Sequence, residues 1–226
     1  MTDTTFHRRV LPRNCIQFSS KEGKAIFRES FLQGNLDMYF PLSEVFNKQS
    51  EPAYCGVSTL CMILNCLSMD PTVVHGARGV WKGPWRWYHE ELLDCCRPLE
   101  YVKANGVSME ELNCLAQCNG LDTTVVSMAD SDVTAFREHV IDLSKQSDPP
   151  SRYLVVNYDR KVLGQTGSGH FSPIAAYEAT RDMVLICDVA QFKYPPHWVS
   201  LPDLVRAMES VDPETSRPRG YMTLSR

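Results

Sequence analysis

From Gly56 to Leu67 the chain reads GVSTLCMILNCL, apolar nearly all round and free of breakers after its first glycine. The run is too long for a typical strand, and a helix without a polar face is stable only inside a protein. The rest of the chain must therefore enclose a central helix. Cys55 stands at the N-terminal end of that helix.

The enclosing sequence comes in two styles, divided by the polar, proline-containing break KQSDPPS. Before the break the signals are helical. Ser19 with Glu22 forms a capping box for a helix that Gly34 stops, Ser108 with Glu111 opens another ending at Gly120, and Val133, Phe136 and Val140 share a face of a third between Ser131 and Leu143. After the break, YLVVNY, HFSPIAAY, DMVLICDV and GYMTLS are short β-rich runs between turn residues, with one late helix near Asp203 to Ser210. Helices first and strands afterwards predict an α+β fold. We expect one domain over residues 1–226, a mainly helical lobe up to about residue 150, a mainly antiparallel β lobe over 151–226, and an active site between them.

With 226 residues, 43% hydrophobic and 22% charged, the chain can bury a sizeable core, which excludes disorder as the default. Lys and Arg number 23 against 27 Asp and Glu, a formal charge of -4 with no block of like charges, which argues against nucleic acid or a membrane surface as partner. The opening MTDTTFHRRVLPRN has no apolar signal region, and no stretch is long and apolar enough to span a bilayer. A soluble, cytoplasmic protein is the expectation. Nine cysteines, an odd number without a secretion signal, are expected to be reduced thiols rather than a disulfide framework.

A thiol opening a buried helix meets the positive end of the helix dipole and unpaired N–H groups, both of which favour thiolate. Cys55 is thus a candidate nucleophile. His170 follows the small-residue run QTGSG and begins HFSPIAAY, while Asp188 ends DMVLICD, where a carboxylate is costly to bury unless paired. Each residue alone has an ordinary structural reading: a small buried hydrophobe, a satisfied histidine, a turn residue. Together, a cysteine at an early helix and a histidine and aspartate on neighbouring late strands follow the order of papain-like enzymes, with His170 as general base and Asp188 as its orienter. Gln49 lies six residues before Cys55, the spacing at which such enzymes place the side-chain amide of the oxyanion hole.

QSEPAYCG around the thiol, WKGPWRW, LDCCRPLE, QTGSGHFSPI around the histidine and DVAQFKYPPHW after the aspartate resemble, in order, the signatures of phytochelatin synthase, glutathione γ-glutamylcysteinyltransferase. The likeness runs from Arg8 to Arg226. It implies a papain-like fold and a transpeptidase that takes γ-Glu-Cys from glutathione through a Cys55 thioester. It further implies that Asp212 and Arg219, in VDPETSRPRG, hold the α-amino and α-carboxylate groups of the γ-glutamyl moiety, with Gly169 as a further substrate-binding residue. Arg160, Lys193 and Tyr194 are placed by the resemblance near the acceptor, whose carboxylates a cationic wall would attract. The implied partners are glutathione and phytochelatins, in a homodimer, with no organic cofactor. The implied activator is a heavy metal ion, cadmium or zinc, acting largely as metal–glutathione thiolate.

The sequence marks no tight metal site, since it lacks a CxxC pair or a His-rich tract. Cys114 and Cys118 can share a helix face and Cys95 and Cys96 are adjacent, for which a structural role is the expectation. Two features depart from the family pattern. VVHGARGV makes a longer connection than plant-type members have, and the chain ends at GYMTLSR where eukaryotic members continue into a cysteine-rich region, implying a shortened chain or a short member. Three other readings stay open at this point: a glutathione hydrolase using the same site, a non-catalytic thiol-rich metal-binding module, and a general endopeptidase.

Overall fold

A computed structural model describes residues 9–76 and 87–226. The N-terminal eight residues, most of WKGPWRW and the end of the VVHGARGV connection lie outside the described residues. In chain order the elements are β1 (Cys15–Gln17), α1 (Lys21–Leu32), α2 (Tyr39–Glu44), α3 (Cys55–Cys66), α4 (Pro71–His75), α5 (Leu99–Asn105), α6 (Met109–Cys118), β2 (Asp122–Ser127) and α7 (Val133–Ser144). They continue with β3 (Arg152–Asp159), β4 (Gly169–Glu178), β5 (Met183–Ile186), β6 (His197–Ser200), α8 (Leu201–Glu209), β7 (Val211–Asp212), β8 (Arg217–Pro218) and β9 (Gly220–Ser225). The α+β class read from the sequence is borne out.

Seven strands form one antiparallel sheet in the order β1-β6-β5-β4-β3-β9-β2, and β7 and β8 make a separate hairpin. Nine of the ten residues of β4 are buried, so both its faces are covered, which is why HFSPIAAY reads as a continuous apolar run rather than an alternation. Helices α1, α2 and α3 pack against β4, while α7 and α8 pack against each other and against β3. Every residue of α3 from Gly56 to Asn65 is buried, as its unbroken apolar sequence requires. Burying side chains the size of Leu60, Ile63 and Leu64 contributes roughly 1.5–3 kcal/mol each.

Where α3 begins, Gly56 matters for its lack of a side chain. A Cβ there would stand 2.5 Å from Val107 Cγ2 and 3.3 Å from Phe171 Cδ2, so only glycine lets the first turn of α3 sit against both β4 and the loop before α6. The helix signals held, with one shift. Ser20, not Ser19, caps α1 by accepting from the Gly23 N–H, because the helix starts one residue later than the capping-box spacing implies. Ser108 and Glu111 form the full capping box of α6.

Two findings correct the sequence reading. The first half contributes strands as well as helices: β1 and β2 form the two edges of the sheet. The expectation of reduced thiols throughout is overturned at four positions, where Cys95 bonds Cys118 and Cys96 bonds Cys114. Residues four apart on α6 face the same way, which brings their Cα atoms to 6.7 and 6.2 Å from those of the adjacent pair, within disulfide reach.

Candidate active site

The first turn of α3, the start of β4 and the segment after β5 converge on a cleft of about 500 Å³. Cys55, His170, Gly169, Lys193, Asp212 and Arg219 are among its lining residues. His170 is the second residue of β4 and Asp188 lies two residues past β5, on neighbouring strands as the sequence order implies. His170 Nε2 is 2.9 Å from Asp188 Oδ1, which also accepts the Ala190 N–H at 2.8 Å. This leaves the other ring nitrogen for the thiol.

Arg160 completes the constellation in a way the sequence did not show. Its guanidinium is buried, donates from Nη2 to Asp188 Oδ2 at 2.7 Å, lies 2.7 Å from His170 Nε2, and donates from Nη1 to Gln165 Oε1. Gln165 Nε2 then meets His197 Nε2 at 2.9 Å, while His197 Nδ1 donates to the Pro195 carbonyl at 2.8 Å. A buried carboxylate left with one partner would be unstable, and a chain of side chains here satisfies each polar group in turn.

Charge in the site follows from these contacts. Burial pushes the Cys55 thiol up, but His170's charge and hydrogen bond, the Phe171 backbone and the Arg160 cation outweigh it, and the net shift is downward from 9.0. For His170, burial and Arg160 disfavour the imidazolium, yet the charges of Asp188 and Cys55 prevail and hold its pKa above 6.5. Burial disfavours the Asp188 carboxylate, and the charges of His170 and Arg160 more than offset this, holding it well below the usual carboxylate range. Both shifts run toward a thiolate beside an imidazolium.

The other sequence-derived residues fall into distinct places. Arg219 is buried beside the β7–β8 hairpin, its Nη1 donating to the carbonyls of Ser210 and Val211, and its Nε lies 3.9 Å from Asp212 Oδ2 without a hydrogen-bond partner among the described residues. Gly169 lies against it: a Cβ there would stand 3.3 Å from Arg219 Nη2. Lys193 stands half-buried at the cleft wall, its ammonium pushed down by burial and by the Arg160 and Arg9 cations.

Three residues are held by contacts that their sequence positions did not reveal. Arg160 lines the cleft but spends its head group on Asp188 and Gln165 rather than leaving it free for an acceptor carboxylate. Tyr194 is buried under the Arg160 guanidinium with its hydroxyl accepting the Thr166 N–H, and does not line the cleft. Gln49 is at the cleft wall, but its Nε2 donates to the Glu51 and Pro52 carbonyls at 2.8 and 2.9 Å, which fixes its own loop. The Cys55 N–H, at the first residue of α3, has no intrahelical partner.

Two residues went unnoticed in the sequence. Asn157 sits in the apolar run YLVVNY, and its buried Oδ1, at the cleft, has no partner among the described residues. A lone amide in a core strand was the available signal, since buried polar groups are normally satisfied. Glu90 accepts from both the N–H and hydroxyl of Ser50, anchoring the loop that carries Gln49.

An antiparallel sheet carrying His170 and leading to Asp188, set against a central helix opening on Cys55, is the architecture of papain-like thiol enzymes. Within that class the chain belongs to the phytochelatin synthase family, whose family model matches residues 6–221. It is 48% identical over 227 residues to glutathione gamma-glutamylcysteinyltransferase 3 of Lotus japonicus, covering 100% of this chain and 46% of the relative. It is 47% identical to glutathione gamma-glutamylcysteinyltransferase 1 of Arabidopsis thaliana, covering 100% of this chain and 45% of the relative. The glutathione gamma-glutamylcysteinyltransferase of Schizosaccharomyces pombe is 42% identical, over 97% of this chain and 51% of its own length. The chain thus spans about half the length of the curated relatives it matches. A solved double glycine motif protease from an AMS/PCAT transporter, in complex with the leader peptide, aligns over 79% of this chain and 88% of its own at a TM-score of 0.44 and 12% identity.

Proposed function

We propose that this chain is a glutathione γ-glutamylcysteinyltransferase, joining γ-Glu-Cys from one glutathione to a second glutathione or a growing phytochelatin. The observation that carries the reading is that the Cys55 thiol shares one cleft with Asp212 and Arg219, a carboxylate and a guanidinium suited to a free α-amino and a free α-carboxylate. Arg219 Nε and Asn157 Oδ1, without hydrogen-bond partners among the described residues, are a donor and an acceptor with bonds left to give.

With the γ-glutamyl end held there, the Cys55 thiolate attacks the Cys–Gly carbonyl carbon, and the oxyanion is met by the Cys55 N–H. Gln49 joins as a second donor when its amide leaves the loop carbonyls. His170 gives its proton to the departing amine, glycine is released, and a γ-glutamylcysteinyl thioester remains. The α-amino group of the second substrate then attacks the thioester carbonyl, His170 takes its proton, and the Cys55 thiolate is restored. Arg160 and Asp188 hold the imidazole throughout and need not touch substrate.

The acceptor enters past Lys193, whose ammonium is pushed down by burial and by the Arg160 and Arg9 cations, and which acceptor carboxylates or a metal–glutathione thiolate would stabilise. Cadmium or zinc thus takes part as substrate complex. A homodimer rests on family likeness alone. A cytoplasmic setting rests on the supply of reduced glutathione there, and no helix among the described residues is long and apolar enough to cross a membrane.

Mass spectrometry of products from purified protein in glutathione, with and without cadmium and beside a Cys55→Ala control, tests the reading. Metal-stimulated (γ-Glu-Cys)2-Gly absent from the control is the expected result. Glycine and γ-Glu-Cys alone would replace it with the hydrolase, casein cleavage at a comparable rate with the endopeptidase, and no product at all with a non-catalytic thiol module.

A further inference from the structure

The loop between β3 and β4, residues 160–168, folds back on itself. The Arg160 N–H donates to the Ser168 carbonyl at 3.2 Å and the Gln165 N–H to the Arg160 carbonyl at 2.9 Å, which sets the Arg160 and Gln165 side chains together. Gln165 is buried, and its amide meets His197 at the start of β6, where His197 pairs in register with Ile186 of β5 and Gln17 of β1. Asp188 follows β5 by two residues, so loop and sheet bring imidazole, amide, guanidinium and carboxylate into one buried row.

Donor and acceptor roles along the row follow from the chemistry of each group. The Pro195 carbonyl can only accept, so His197 Nδ1, 2.8 Å away, carries a proton. A neutral His197 then has a bare Nε2, an acceptor, 2.9 Å from Gln165 Nε2. That turns Gln165 Oε1 toward Arg160 Nη1, while Arg160 Nη2 meets Asp188 Oδ2 at 2.7 Å and Asp188 Oδ1 remains for His170 at 2.9 Å. A protonated His197 would set N–H against N–H at Gln165. The titratable and charged groups around the row are His170 on β4, Tyr158 on β3 against the His170 ring, Cys15 on β1 against Gln165, and Arg160 and Asp188 themselves. Burial, joined by the Arg160 and His170 cations, outweighs the Asp188 charge and the Pro195 bond and holds the His197 pKa below 6.5.

We propose that Gln165 and His197 are positioning residues for the Cys55 reaction: a neutral His197 orients the Gln165 amide, which holds Arg160 on one oxygen of Asp188 and so keeps the other for His170. Both are buried and neither lines the cleft, so they act through Arg160 rather than on substrate. The inference rests on the thiol and imidazole of the proposed function, not on its substrate.

Gln165→Met keeps the side chain's length and removes both hydrogen bonds. The Arg160 cation presses down the pKa of both Cys55 and His170, so a guanidinium released by Gln165 should let both rise. Both limbs of the kcat/KM profile for glycine release should then move to higher pH, with kcat down about tenfold and KM little changed. Iodoacetamide labelling of Cys55, which needs no glutathione, should shift its acid limb the same way. His197→Leu should follow Gln165→Met, whereas His197→Gln, which returns an acceptor near the same place, should recover kcat to within roughly threefold. A lowered melting temperature with both limbs in place, the mark of a merely structural role, would overturn the proposal. Nitrogen NMR of the unmodified protein decides the matter even if every variant misfolds: His197 should be neutral with its proton on Nδ1 across the active pH range. An imidazolium there, or a proton on Nε2, would overturn it. Absence of glycine release from the unmodified protein would remove the transfer reading, while labelling and NMR would still decide this one.

Discussion

Cys55 and Cys61 lie on one helix, less than two turns apart, and meet opposite fates. The thiol of Cys61 is pushed well above 9.0 by burial and by the Glu90 carboxylate, whereas that of Cys55 is drawn below it. Burial opposes the thiolate at both positions, so burial is not the difference. What separates them is the company that β4 and the segment after β5 bring to the first turn: His170, the Phe171 backbone and Arg160. A reactive thiol here is a property of two regions in contact, not of the helix that bears it.

The most direct attempt to break this contrast is substitution of the two thiols. Cys55→Ala is expected to reduce glycine release from glutathione by at least ~10⁴-fold. Asp188→Asn, which leaves the thiol in place and removes the imidazolium's counter-charge, should lower kcat by roughly 10³-fold and slow iodoacetamide labelling of Cys55 toward the rate at Cys61, read by peptide mass spectrometry. Gln49→Ala should cost about 10²-fold in kcat with KM little changed if its amide reaches the oxyanion. A drop in melting temperature with kcat nearly intact would assign it instead to its loop.

Titration sharpens the contrast further. The lowered Cys55 pKa keeps thiolate available below 9.0 and loses it as pH falls through the shifted value. The raised His170 pKa keeps the proton donor above 6.5 and loses it as pH rises through its own. The kcat/KM profile should be bell-shaped, falling about tenfold per pH unit on each side, with the alkaline limb moving to lower pH in Asp188→Asn. The smallest effect is expected at the other end of the comparison. Cys61→Ala should leave turnover within roughly threefold and cost about 1–2 kcal/mol of stability in urea unfolding, the response of a packed side chain rather than a reacting one.

The sequence exposed one side of this contrast more clearly than the other. An apolar run that could only be a buried helix, with a cysteine at its head, placed Cys55, and the strand-like runs after KQSDPPS placed His170 and Asp188 on neighbouring strands. Hidden were the features set by contacts across long sequence separations. β2 reads DTTVVS, half-exposed and at an edge, so its pairing with β9 leaves only a weak pattern in the residues. Arg160 looked like a free cation because nothing local reveals that Asp188 and Gln165 close around it. Likewise, the cysteine pairs became visible only when α6 turned Cys114 and Cys118 toward the segment before α5.

The position of β9 bears on when the cleft is complete. This strand lies between β3 and β2, pairing Tyr221 with Val156 and Val126, yet in chain order it follows every other element of the sheet. During synthesis β2 must wait for a partner about one hundred residues away, a non-local pairing of the kind that slows folding. Arg219, immediately before β9, is seated only when that strand closes. A chain emerging from the ribosome would thus carry the Cys55 thiol well before the Arg219 side of the cleft exists, and pairing of β9 is the step that closes it.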